Sequence, residues 1–252
     1  MKLNSLMLSL RTPLFLAAIL ISSVSENTYA ADLVGDWHFD EGAYSRGKFS
    51  DRTGMGGDAK LVYLESREVP EFLPDAIGSV RHPLRFDGSR SHWLEIPCQV
   101  LDASPDLALE FWFKWDGTGG KEQFIVGNAS GLILGLKEKG KLYSMVRVRS
   151  GDRERWVYVD TPGRVEAGVW QHAMLSIHDG NVQLVRVPAR QSDAVLIGAK
   201  PRALNGDLVI QWQGTAVGIN PHGKSSPFSG SIAGFKIYDG ALDTETFLMS
   251  EI

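Results

Sequence analysis

The chain has 252 residues, 43% of them hydrophobic and 22% charged, with a formal net charge of −4. That is globular composition, which excludes a disordered or collagen-like chain, and the slight acidity gives no electrostatic reason to expect nucleic acid as a partner. The 27 glycines scattered among aromatic and β-branched runs predict many short strands joined by tight turns.

The N-terminus begins with Lys2 and Arg11, continues with an apolar segment from Leu14 to Val24, and ends in the small residues Ala30 and Ala31. This order of charge, apolar run and small residues is the layout of a secretory signal peptide. The apolar segment is too short for a membrane span, which needs ~20 residues. Residues 1–30 therefore read as a signal peptide and 31–252 as one mature domain, secreted, periplasmic or displayed at the cell surface. Cleavage removes Lys2, Arg11 and Glu26, leaving 24 basic against 29 acidic side chains, or −5. No membrane span is expected after cleavage. Cys98 is the single cysteine, so an exported chain has no internal disulfide and must rely on its hydrophobic core.

Beyond Ala31 there is no linker or repeat, only short apolar or alternating runs followed by turn signals. "LVGDWHF" reads as a strand, "EGAYSRGKFSDRTGMGGDA" as loop, "AKLVYL" as a strand, and "ESREVPEFLPDAIGSVRHP" as a long loop. "LRFDG" and "HWLEIP" read as a strand pair around Gly88–Ser91. In "LALEFWFKW", Leu107, Leu109, Phe111, Phe113 and Trp115 share one parity. "QFIVGN", "GLILGL", "KLYSMVRVR" and "RWVYVD" continue the series, with Gly140 and Ser150–Asp152 as turns. "WQHAMLSIH" and "VQLVRV" flank "DGN", a strong two-residue hairpin signal, so Asp179 reads as a turn residue and His172 as a strand residue beside a packed Trp. "DLVIQW", "TAVGIN" and "GSIAGFKIYDG" follow. Only "DTETFLMSEI" reads as a helix, with Asp243 as its cap. Strands without alternating helices predict an all-β fold, a two-sheet antiparallel jelly-roll sandwich with a short C-terminal helix.

"GVWQHAMLSIHDGNVQLVRV" resembles the Trp-x-His hairpin of laminin-G-like jelly-roll domains of the concanavalin A-like lectin/glucanase superfamily. "LVGDWHFDEG", "DRTGMGGDAKL", "LRFDGSRSHWLEIP", "LALEFWFKWDG" and "FSGSIAGFKIYDGALDTE" resemble the family's other landmarks in the family's order, from Leu33 to Glu245. The resemblance implies the fold more strongly than a function, because this fold hosts lectins, glycosidases, lyases and adhesion modules. It also implies a structural Ca2+, with Asp40 and Asp51 as candidate metal ligands. Calcium wants about six to eight oxygens. Here the family's acidic pair on the closing strand is replaced by Ala233 and Gly234, and Met55 stands where Asn is common. The alternative is that the two aspartates cap turns.

No catalytic residues are assigned. The alternating acidic strand of the related glucanases, which would hold nucleophile and acid/base on one face, has no counterpart. Glu110 and Asp116 are six apart, and Asp152 and Glu154 fall in and beside a turn. The six histidines show no metal-ligand spacing, and no protease, hydrolase or phosphate-loop motif occurs. A binding face is more legible. If Val157 and Val159 face the core together with Val146 and Val148, the outer face of the same hairpin carries Arg147, Arg149, Trp156 and Tyr158. Aromatic rings stack on the C–H faces of sugars, and arginines bind hydroxyls or carboxylates, so this face suits a polysaccharide or other glycan, including an acidic one. Trp212 is a further candidate, with the "NPHGKSSP" segment behind it. Alternation of apolar-in and polar-out residues also arises without any ligand.

Three readings follow: an exported, non-catalytic carbohydrate-binding or adhesion-type module, a glycan-active hydrolase or lyase on the same fold, and a structural protein-interaction module of the cell envelope. Phe111, Phe113, Trp170 and Val146 are expected in one two-sheet core, with Arg147 and Arg149 exposed. Export makes the first prediction. Mass spectrometry of the protein recovered from its native host should find a terminus near Ala30/Ala31, and an intact Met1 in the mature pool would sink it.

Overall fold

The computed structural model describes residues 31–63, 70–97, 104–128, 130–189, 195–211 and 214–250. The expected signal peptide, Cys98 and Trp212 lie outside these residues. Two antiparallel sheets form a sandwich. The first runs in the order Asp32–His38, Ser229–Asp239, Leu107–Trp115, Trp170–His178, Asn181–Pro188 and Ile197–Gly198. The second runs Arg153–Asp160, Lys141–Ser150, Leu132–Lys137, Glu122–Asn128, Thr215–Val217, His92–Ile96, Ala59–Tyr63, Lys48–Phe49 and Tyr44–Ser45. The expected all-β sandwich and its short helix, Thr244–Met249, are both present. Asp243 caps the helix by accepting the Thr246 amide at 2.7 Å. Among the described residues, no helix is long and apolar enough to cross a membrane.

Period-2 alternation explains the core. Leu107, Leu109, Phe111 and Phe113 enter it from the first sheet, and Leu134, Val146, Val148, Val157 and Val159 from the second. The Trp170–His178/Asn181–Pro188 hairpin closes through Asp179 and Gly180, both in the left-handed region at φ 47° and 67°. That is the backbone of a type I′ turn, which matches the twist of the strands it joins. Gln171, on the core side of this hairpin, is explained by buried Arg186. The guanidinium gives Gln171 Oε1 a hydrogen bond at 2.9 Å and caps the carbonyl of Arg164 at 3.0 Å.

Four expectations need correction. Leu84–Asp87 and His92–Ile96 are strands but not partners: the first pairs with Ser229–Asp239, the second with Ala59–Tyr63 and Thr215–Val217. Leu84, Phe86, Leu94 and Ile96 reach one core from opposite sides, so Gly88–Ser91 crosses the sandwich instead of closing a hairpin. Trp170 is buried, but against Trp112, Val80 and Ala233 on the outer face of the first sheet. It has the parity opposite to core residues Ala173, Leu175 and Ile177, and its burial comes from elements laid over that face. Short hairpins, Tyr44–Ser45/Lys48–Phe49 and Ala76–Ile77/Val80–Arg81, occupy two segments expected to be loop. Among the described residues of "DLVIQW", only Asp207–Leu208 is strand, beside Val148 and Arg149.

Phe113 is fully buried and packs edge-on against Phe228 at 6.3 Å. Phe113→Ala should cost about 3–5 kcal/mol of unfolding free energy in a denaturant titration. A loss below ~1 kcal/mol would mean that the strand faces the other way.

Candidate functional site

The hairpin Lys141–Ser150/Arg153–Asp160 lies at one edge of the second sheet. Gly151 has φ 58° at the first position of its two-residue turn, as a type II′ connection requires. Counting back from that turn sets Arg149 opposite Glu154, Arg147 opposite Trp156, Met145 opposite Tyr158 and Tyr143 opposite Asp160. Because Leu142, Val146, Val148, Val157 and Val159 fill the core, all eight of these residues fall on the outer face. Four of the expected site residues, Arg147, Arg149, Trp156 and Tyr158, are thus brought together. Arg149 is exposed as expected, whereas Arg147 is half-buried.

Two groups of interactions organise this face. Glu154 sits between the two arginines. Its Oε1 accepts from Arg149 Nε at 2.9 Å, and its Oε2 meets Arg147 Nη2, while Arg147 Nη1 reaches the Ser130 carbonyl at 3.4 Å. The hydrogen bond from Arg149, with the charges of both arginines, holds the Glu154 carboxyl below the usual range. Nearer the other end, the rings of Tyr143 and Tyr158 stack at 5.7 Å, with Lys137 Nζ 4.4 Å over Tyr158. Tyr158 donates to Asp160 Oδ2 at 3.0 Å, and Asp160 pairs with Lys141 at 2.5 Å. Partial burial and the Asp160 carboxylate push the Tyr158 phenol up to about 12. Half-buried Met145 and Ile133 are register neighbours and form an apolar floor between Trp156 and the centre of the sheet.

The sheet row continues from Ile133 through Gly127 and Ala216 to Glu95, Lys60 and Lys48. The small residues at its centre let the segment after Val217 lie directly on the sheet. A Cβ at Gly127 would stand 2.8 Å from Pro221 Cδ, and Ile219 packs on Ala216 and Trp93. Lys224 Nζ, in "NPHGKSSP", lies 4.2 Å over the Trp93 ring. This segment walls one side of the face. At the free edge of the hairpin, Arg202, which pairs with Val182 of the first sheet, binds the Tyr158 carbonyl through Nη1 at 2.8 Å, and a cavity of about 290 Å³ lies between Tyr158, Asp160, Lys200 and Arg202. The outer face is thus an open trough, walled on one side, with an aromatic and ion-paired floor.

Sequence reasoning missed Glu154 as a partner of the arginines, although the Gly151–Asp152 turn fixes the register that places it there. It also did not single out Lys137, which comes from a strand outside the hairpin.

A larger cavity, about 540 Å³, lies at one end of the sandwich and is lined in part by Asp106, Asp179 and Asp207. There His178 Nδ1 is 3.0 Å from Asp106, and its Nε2 is 3.2 Å from Asp179. Among the described residues this is the one three-residue cluster with metal-ligand spacing, and it includes neither Asp40 nor Asp51. Asp51 accepts from the amides of Asp36, Thr53 and Gly56 and from the Thr53 hydroxyl, at 2.7–3.1 Å. Those donors outweigh its partial burial and hold its carboxyl below the usual value. Asp40 Oδ1 accepts from the Ala43 amide at 2.7 Å.

A second titratable cluster is closed off. Glu110, on the outer face of the first sheet, is fully buried. Its Oε1 accepts from His172 Nε2 at 2.8 Å and from Ser250, and its Oε2 from the Tyr238 hydroxyl at 2.6 Å. Lys236 Nζ stands 3.7 Å away, Trp112 stacks on His172 at 3.9 Å, and Phe247 lies tilted against it at 4.1 Å. This carboxylate is out of reach of a polysaccharide. Burial alone would raise its pKa, but His172 and Lys236 lower it below the usual range; burial also lowers that of His172.

The chain belongs to the concanavalin A-like lectin/glucanases superfamily: that family's model (Laminin_G_3) matches residues 87–246. Domain 4 of AbnA, a GH43 extracellular arabinanase from Geobacillus stearothermophilus solved with arabinotriose, is similar at 19% identity and TM-score 0.55, covering 86% of this chain and 97% of that one. The Botulinum neurotoxin serotype G binding domain is similar at 12% identity and TM-score 0.55, over 86% of this chain and 50% of that one. Trypanosoma rangeli sialidase, in covalent complex with 2,3-difluorosialic acid, is similar at 14% identity and TM-score 0.50, over 85% of this chain and 32% of that one. At these identities the likeness is one of fold. Curated protein sequences gave no match.

The buried cluster yields a pH prediction. Below the ordinary histidine value of 6.5, the unfolded chain binds a proton that folded His172 does not, so stability falls as pH drops. A second loss follows below 4.5, where unfolded glutamate protonates before Glu110 does in the folded protein. The melting temperature should fall in two stages on acidification from neutral pH. His172→Gln should shrink the first stage, leaving the part contributed by His38, whose pKa is also lowered by burial. An unchanged profile in the variant would exclude His172 as its source.

Proposed function

We propose that the chain is an exported, non-catalytic carbohydrate-binding module, and that its glycan ligand lies in the trough over Arg147, Arg149, Trp156 and Tyr158. The observation that carries this reading is Trp156. Of the six tryptophans described it is the only exposed one, at 38% of its full accessibility, and it stands opposite Arg147 among charged hydrogen-bonding groups. An indole left in water next to fixed donors and acceptors suits the C–H face and the hydroxyls of a pyranose or furanose ring. Similarity in fold to an arabinanase domain solved with arabinotriose, and to a sialidase, supports a carbohydrate context. Trp212, two residues beyond Ile210, is the next candidate for ligand contact.

Calcium at Asp40 and Asp51 is a separate proposal carried by the resemblance. A calcium titration followed by thermal melting decides it. A saturable rise in melting temperature supports an ion at this loop, and an unchanged value leaves both aspartates as turn staples.

A glycan array followed by calorimetry tests the binding reading. Trp156→Ala should weaken binding of an array-identified glycan about tenfold or more, equivalent to about 1.4 kcal/mol, with an unchanged melting temperature. Product analysis of each hit separates binding from hydrolase or lyase activity. If Trp156→Ala binds like the wild type, the hairpin face is only a solvated sheet surface.

A further inference from the structure

We infer that Glu154 makes the trough select neutral over anionic glycans. The inference rests on the carbohydrate-binding reading above and names the ligand class of that same site.

Arginine recognises a carboxylate or sulfate best when two parallel N–H groups of one guanidinium face two oxygens of the anion. In Arg149 the Nε/Nη2 edge is filled, since both nitrogens point at Glu154 Oε1, at 2.9 and 2.5 Å, and only the outer Nη1 end stays open beside that carboxylate. Arg147 is also committed, with Nη2 on Glu154 Oε2 and Nη1 on the Ser130 carbonyl. Two further cations of the hairpin face are likewise engaged. Lys141 pairs with Asp160, and Lys137 lies over the Tyr143 and Tyr158 rings. An anionic sugar would have to displace Glu154 and meet its charge at close range. A neutral sugar meets no such barrier. Its hydroxyls accept from the guanidinium N–H groups that Glu154 leaves open and donate to the carboxylate lone pairs, while a ring face stacks on Trp156. The arginines alone would suit an acidic ligand, and the shared glutamate reverses that preference. Glu154 acts as a specificity residue through geometry that is already in place, because it is charged, paired and at the surface before any ligand arrives.

The test compares wild type, Glu154→Gln and Trp156→Ala on matched neutral and anionic oligosaccharides. Methyl-esterified and free oligogalacturonates and unsulfated and sulfated chondroitin oligosaccharides form the pairs, with arabinotriose as a neutral reference. Kd is measured by calorimetry at low and at physiological salt, and folding by thermal melting. In wild type the neutral member of a bound pair should bind about tenfold more tightly, with little salt dependence. Glu154→Gln keeps the shape and removes the charge. It should bind the anionic member about tenfold more tightly than wild type does, with an affinity that falls as salt rises, and keep neutral binding within about threefold. Anionic preference in wild type, or an unchanged preference in Glu154→Gln, overturns the inference while leaving the carbohydrate reading intact. That reading stands separately on loss of neutral binding in Trp156→Ala. If wild type binds no member of the panel, the inference falls, and the carbohydrate reading is decided by the glycan array.

Discussion

The first sheet is buried on both of its faces, and the rest of the molecule follows from that constraint. One face meets the second sheet in the main core. The other is covered by the C-terminal helix and by the Ala76–Ile77/Val80–Arg81 hairpin, through Phe247, Leu242 and Val80. Charged residues on that covered face must therefore find partners inside the protein, since an unpaired buried charge costs several kcal/mol. Glu110 does so with His172, Tyr238, Ser250 and Lys236. The network ties three strands to the end of the helix. Ser250, which caps the Phe247 carbonyl at 2.8 Å, also donates to Glu110, so a six-residue helix is fixed by its last turn and by one buried phenylalanine.

With the first sheet enclosed, the outer face of the second sheet is the broad sheet surface left to meet solvent and ligands. Its relief is set by side-chain size along a single row. Gly127 and Ala216, at its centre, are small enough for Ile219 and Pro221 to rest on the strands. A larger side chain at either position would lift that segment and fill the trough's wall with its own bulk. On one side of the wall lie Ile133, Met145, Tyr158 and the Trp156 end of the hairpin. On the other lie Glu95, Lys60 and Lys48, beside a separate cavity of about 490 Å³. The same row thus carries two chemically different surfaces, one aromatic and one purely charged.

Much of this was legible in the sequence because it depends on local rules. Strand alternation fixes which residues share a face, and two-residue turns fix the pairing of strands that follow one another. The Asp179–Gly180 hairpin, the Asp243 cap and the outward set Arg147, Arg149, Trp156 and Tyr158 all follow from such rules. What alternation cannot say is what lies over a face. Trp170 reads as a main-core residue, yet it is buried on the outer face by elements far from it in sequence. Leu84–Asp87 and His92–Ile96, neighbours along the chain, read as partners, yet each needs its apolar side in the core, and that demand sends them to opposite sheets. The fold-level resemblance carried further than composition because a sandwich of this kind is defined by the order of its strands.

The ion pairs of the trough illustrate the part of function that a fold does not supply. Sandwiches of this architecture serve many roles, and the strands that build the hairpin face would form equally well with other outward residues. Replacing Glu154 by an apolar residue would leave the Val157 and Val159 side of the strand untouched. Arg149 would then lose its partner and Arg147 would keep only the Ser130 carbonyl, and the face would become a generic anion-attracting surface. Keeping one carboxylate between two arginines gives up some of that attraction. In return it holds both side chains in one orientation beside Trp156, so under the proposed reading the donors are placed before a ligand arrives and less rotamer freedom would be lost on binding. The constraint acting at Glu154 is therefore positional as well as electrostatic, and it originates in the two-residue turn at Gly151, which sets the strand register three residues before the glutamate.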